Sequence, residues 1–212
     1  VLFSSDYLQA VKEFAGEFDT QKEINDKYFD KAFTDYQPSE LADLVLQQTK
    51  KNAVELLAGS TVKTGFLEPL KGQIDIIVSS GSSWRDAVQQ LRDYAEGDGE
   101  VDGKLLKYSK QIATDSLAIS DRSYTSAVAD DLGSEWFFYS GDIIPTSRCF
   151  CIERHDKHFY YKEIESWGRG ENLGECNIGD GRWAGENPTT NEQTIYNYAG
   201  GYLCQHSILP VT

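Results

Sequence analysis

The chain has 212 residues, 40% hydrophobic and 12% aromatic, which is enough for one full domain or two small ones around a buried core. Its 20 basic residues against 34 acidic ones give a formal charge of −14, which removes any long-range attraction to phosphate backbones or anionic lipid and leaves protein surfaces or cations as partners. No run approaches the roughly eighteen apolar residues of a membrane span, and the first twenty residues lack the basic and apolar regions of a signal peptide, so no membrane role is expected. There is no methionine and the sequence begins at Val1, so we expect an initiator residue to lie outside it.

From Ser4 to about Leu132 the apolar residues recur at helical spacing, interrupted by two prolines, Pro38 and Pro69. A first helix is expected from Ser5 or Asp6 through Leu8, Val11, Phe14 and Phe18, and a second over Glu23 to Phe33. Tyr36-Gln-Pro-Ser39-Glu40 marks a boundary, with Ser39 capping a third helix through Leu41, Leu44, Val45 and Leu56 that Gly59 closes. Gly65 and Pro69 predict a bent or broken helix over Thr61 to Val78, followed by a turn at Ser79 to Ser83. Ser83 should cap the next helix, Trp84 to Tyr94. The acidic loop Glu96 to Gly103 lacks the ordered ligand positions of a calcium loop and is expected to be a solvated turn.

The strongest helical pattern covers 104–132, through Leu105, Tyr108, Ile112, Tyr124, Val128 and Leu132. It reads either as an assembly strut or as the central core helix of a bundle.

The residue alphabet changes at Gly133. The remaining eighty residues hold three of the four tryptophans and all the cysteines and histidines. Short strands are expected at Glu135–Tyr139 and Tyr202–Leu209, and one or two helical turns at Tyr161–Trp167. The aromatic run 136–139 should supply the core of this module. The fold class is therefore α+β: a mainly helical region, 1–132, then a small loop-rich α+β domain with short strands, 133–212.

The stretch SRCFCIERHDKH, residues 147–158, concentrates the chemistry. Cys149, Cys151, His155 and His158 offer four zinc ligands, although a single residue between the two cysteines is unusual spacing for a structural zinc site. A disulfide clasp is a second possibility: Cys151 to Cys204 would join two strands and Cys149 to Cys176 would pin the long loop, given an oxidising compartment. Reduced, buried cysteines are a third. Cysteine catalysis, with His206 or His155 as base and Arg148 as anion holder, lacks an orienting third group in the sequence. Glu163 and Glu165, two apart on a helical turn, do not make a glycosidase pair.

Taken together, Asp131-Leu-Gly-Ser-Glu-Trp-Phe-Phe-Tyr-Ser-Gly141, Ser147-Arg148-Cys149-Phe150-Cys151, Glu153-Arg154, Lys162-Glu163-Ile164-Glu165, Trp167, Trp183, Gly185, Asn187, Gly200-Gly201-Tyr202 and Cys204-Gln-His206 through Pro210 resemble a tailed-phage pattern. It is similar to the C-terminal domain of phage minor head proteins of the Mu F-like class, and the motif residues that match are Arg148, Cys151, Trp183, Cys204, His206 and Pro210. Gln205 stands where that family carries Arg.

The resemblance implies a structural, non-enzymatic virion protein, present in few copies near the portal or head–tail connector and aiding head assembly and genome packaging or ejection. Its partners would be portal or capsid subunits in an oligomeric assembly, without direct nucleic-acid or membrane contact. It would require no cofactor and would be made in the bacterial host cytoplasm. Two other classes remain open: a toxin-like or hydrolytic enzyme using the Cys/His/Arg cluster, and a disulfide- or zinc-stabilised binding module of a phage appendage.

Overall fold

The computed structural model describes residues 5–34, 36–59, 62–79 and 84–211. Helix α1 spans Ser5–Ala32 without a break, where the spacing predicts two helices. The residues between the two expected helices include neither Gly nor Pro, and the Lys22–Asp26 ion pair (2.6 Å) spans one helical turn there. Helix α2, Glu40–Ala58, starts as expected: the Ser39 hydroxyl accepts the Ala42 N–H at 2.9 Å.

A π-helical turn at Lys63–Leu67 leads into α3, Glu68–Ser79, which is the break that Gly65 and Pro69 predict. The expected turn and cap at Ser80 to Ser83 lie outside the described residues. Helix α4 covers Trp84–Glu96 and α5 covers Lys104–Asp131. In the loop between them the Asp98 carboxylate accepts the N–H groups of Glu100 (3.0 Å) and Val101 (2.8 Å), an Asx turn whose backbone hydrogen bonds hold the Asp98 carboxyl below its ordinary range.

The chain divides into two compact units, Val1–Gly16 with Lys51–Thr114, and Glu17–Lys50 with Asp115–Thr212. The division does not follow the expected boundary at 132/133. The C-terminal half of α5 is buried at Ser120, Arg122 to Thr125 and Ala127 to Ala129, so it is a core helix of the second unit and cannot be separated from the module that follows it. In the first unit, Tyr7 donates to the Leu57 carbonyl (2.7 Å) and Tyr108 to the Leu56 carbonyl (2.8 Å).

The second unit is α+β. Strands β1 (Trp136–Ser140), β2 (Lys157–Tyr160) and β3 (Ser207–Val211) form an antiparallel sheet in the order β2-β1-β3. Phe137 faces Phe159 on one side and Pro210 on the other. Pro210 is tolerated because β3 is an edge strand. The aromatic run alternates: Phe137 and Tyr139 are buried, whereas Trp136 is 50% exposed. The sheet therefore buries one face of the run and not both.

Short helices α6 (Cys149–Arg154), α7 (Tyr161–Gly168) and α8 (Ile195–Tyr198) complete the module. Its core gathers Phe137, Tyr139, Phe150, Ile164, Trp167, Trp183, Ile195 and Ile208. The expected strand Tyr202–Leu209 begins only at Ser207, because Gly201 and Leu203 adopt left-handed backbone, which a strand cannot accommodate.

Candidate functional site

The stretch 147–158 folds at its centre into the short helix α6 and ends in the start of β2. The Arg148 carbonyl accepts the N–H groups of Cys151 (2.9 Å) and Ile152 (3.0 Å), which opens α6. A helix turns about 100° per residue, so positions two apart face opposite sides, whereas on a strand they would share a face. Cys149 accordingly points outward and is bonded to Cys176, with Cα atoms 5.5 Å apart. Cys151 points into the core, where its Sγ lies 3.7 Å from that of Cys204. Both are buried free thiols.

This placement corrects the expected zinc set. Cys149 is committed to the disulfide. His155 pairs with the Asp156 carboxylate at 3.1 Å, and His158 is exposed on β2 with its ring 5.0 Å from that of Phe138. Among the described residues, the sulfur and nitrogen atoms that instead converge belong to Cys151, Cys204 and His206, all within 4.8 Å of one another.

His206 is 4% exposed. Its Nδ1 lies 3.9 Å from Cys204 Sγ, and its buried Nε2 has no hydrogen-bond partner among the described residues. The ring is stacked on Tyr139 (5.3 Å) and meets His155 edge-on (6.1 Å). Tyr139 Oη in turn reaches Cys151 Sγ at 3.5 Å. A cavity of about 220 Å³ opens beside the cluster, lined among others by Asp142, Arg148, Cys151, Cys204, Gln205 and His206.

Two arginines hold the backbone around the thiols. Arg122, buried on α5, donates through Nε to the Asn197 carbonyl (2.7 Å) and through Nη1 to the carbonyls of Cys204 (2.9 Å) and His206 (3.1 Å). Arg148 donates to the carbonyls of Tyr202 (2.6 Å) and Gly200 (3.4 Å). These contacts engage the side chain proposed as an anion holder in positioning the loop. The Gly200 carbonyl also accepts the Trp183 Nε1–H at 3.2 Å, and Trp183 stacks on Phe150 at 4.2 Å.

Gly200 and Gly201 have different roles. Gly201 takes φ +102°, as expected of a tight turn. Gly200 is needed for space: a Cβ there would lie 2.2 Å from Cys151 Sγ and 3.0 Å from Cys204 Sγ. A second buried cation, Arg154, lies against the rings of Phe150 (3.9 Å) and Trp167 (4.4 Å) and 3.7 Å from Glu153.

The thiols are electrostatically unequal. The hydrogen bond between Cys204 and Cys151 lowers the Cys204 thiol against the cost of burial, with His206 and the Arg122 charge acting in the same direction. That same bond, followed by burial, pushes Cys151 up. Two sulfurs and an imidazole at this spacing can ligate a soft cation.

Arg122, Tyr139 and Gly200 were not singled out as site residues from sequence. The signal at Arg122 was a lone basic residue within the small-residue stretch Ser120 to Ala129. Compared with family models, with curated proteins and with solved structures, the chain matches none.

Proposed function

We propose that the protein is a structural component of a tailed-phage virion, a minor head protein held near the portal or head–tail connector, where it aids head assembly and genome packaging or ejection. The observation that carries this reading is the meeting of the residues on which the Mu F-like resemblance rests. Arg148 and Trp183 share the Gly200 carbonyl, and Gly200 lies against Cys151 and Cys204. His206 and Pro210 then carry the chain into and along β3. Arg148, Cys151, Trp183, Gly200 and Cys204 thus build one fastening point, which supports an architectural role for them.

Exposed apolar side chains on α1 and α2, namely Ile24 (61%), Tyr28 (43%), Leu41 (49%) and Leu44 (69%), support protein partners such as portal or capsid subunits. The acidic charge disfavours direct contact with packaged DNA. The test is fractionation of particles from a phage carrying this gene: the protein should sediment with tail-less heads, and heads assembled without it should fail to package or eject. Its recovery only in the soluble fraction, with fully infectious particles formed in its absence, overturns the reading.

One observation favours a second reading, an enzyme using the Cys/His cluster: the cavity beside Cys204 and His206. Turnover lost in His206→Ala, with particle association retained, would select it.

A further inference from the structure

We propose that Cys151, Cys204 and His206 form a zinc site whose fourth coordination position faces the adjoining cavity. The inference does not depend on the virion reading, and its test is made on the isolated protein.

The geometry is that of a ligand set. Zinc bound tetrahedrally at about 2.3 Å from sulfur and about 2.0 Å from nitrogen places its sulfurs about 3.8 Å apart and sulfur about 3.5 Å from nitrogen. Here Sγ to Sγ is 3.7 Å and Cys204 Sγ to His206 Nδ1 is 3.9 Å. A disulfide requires about 2.05 Å between sulfurs, so the two thiols stand at metal-ligand distance from each other.

The second observation is His206 itself. A buried imidazole normally satisfies its nitrogens with oxygen partners, yet among the described residues Nδ1, the nitrogen facing Cys204, has only the sulfur contact and Nε2 has no partner. The ring is held on two sides by Tyr139 and His155, and a Cβ at Gly141 would lie 2.8 Å from it. It is thus fixed in orientation without hydrogen bonds that would account for its polarity, and it lines the cavity.

Binding replaces the protons of both thiols, which leave to solvent. Two thiolates and one Zn²⁺ then form a centre with no net charge, suited to a buried position. The Tyr139 hydroxyl beside Cys151 Sγ is placed to donate to a coordinated sulfur, an outer-shell role. The open fourth position, bordered by Asp142 and Arg148, admits water or a small ligand.

The test is to strip the full chain with a chelator, leaving the Cys149–Cys176 bridge intact, and titrate it with Co²⁺ and then Zn²⁺. One equivalent of Co²⁺ should bind with the visible bands of a tetrahedral site and thiolate-to-cobalt charge transfer, and Zn²⁺ should displace it. Cys204→Ser and His206→Ala should weaken binding by about 100-fold or more. His206→Cys should retain it with an altered spectrum, and Cys149→Ala/Cys176→Ala should leave the spectrum unchanged. Folded wild-type protein that binds no cobalt or zinc, or binds it equally after Cys204→Ser and His206→Ala, overturns the assignment. The wild-type titration is decisive even where a variant fails to fold.

Discussion

Arg122 Nη1 donates to the Cys204 carbonyl at 2.9 Å and, from the same nitrogen, to that of His206 at 3.1 Å. One side chain of α5 therefore sets the backbone on both sides of Gln205, from which the thiol and the imidazole project toward each other. Arg122→Met should strip three carbonyls, two of them buried, of their donor and destabilise the second unit by about 3 kcal/mol. Arg122→Lys should recover only part of this, since an ammonium lacks the planar fork. Urea unfolding of the three proteins checks the order.

The Cys149–Cys176 bridge closes a sequence separation of 27 residues. Cys149→Ala/Cys176→Ala should lower unfolding stability by about 3.5 kcal/mol through the freed loop of the unfolded chain. The cut sites gained in limited proteolysis should fall between 155 and 182. Loss of less than about 1 kcal/mol would mean that Trp183 and Arg154 alone hold that segment.

Gly200→Ala is the sharpest probe of the thiol pocket. Its Cβ would enter the space of Cys151 Sγ at 2.2 Å, and overpacking of this kind costs about 1–3 kcal/mol. We expect Cys151 and Cys204 to react faster with a thiol reagent in the variant than in the native protein, where both are buried. Equal reaction rates would show that the pocket yields without displacing either sulfur.

What could be read in advance follows from where local signals are strong. Ser39 before Leu41 announces α2, the unbroken run 104–132 announces α5, and Phe137 and Tyr139 sit in a strand as their type prefers. Strand β2 is four residues, Lys157–Tyr160, too short and polar to show a period. The pairing of thiols depends on whether 149–151 is strand or helix, since that choice decides if Cys149 and Cys151 share a face. Once α6 forms, Cys149 and Cys151 must find separate partners. The convergence of His206 on Cys151 is a long-range fact, produced by Arg122 and Gly200, and no spacing within 147–158 encodes it.

A second polar cluster in the same unit makes stability depend on pH at both extremes. Asp26 accepts hydrogen bonds from Lys22, Tyr36 and Tyr124. Burial pushes its carboxyl up, but these partners together outweigh burial and hold it below the ordinary value. As pH falls, the unfolded chain therefore takes up the proton first, near about 4, and the contribution of Asp26 is lost through the lower native value. Tyr36 behaves in the opposite sense: burial, and then the Asp26 hydrogen bond, push its phenol up to about 12, and Tyr124 is raised by the same causes. Above about pH 10 the unfolded tyrosine ionises while the native one does not, so stability is full below that point and falls as pH climbs toward about 12. Urea midpoints measured across pH should show Asp26→Asn flattening the acid limb and Tyr36→Phe flattening the alkaline limb. An acid limb that is as steep in Asp26→Asn as in the native protein would assign acid sensitivity to other carboxylates.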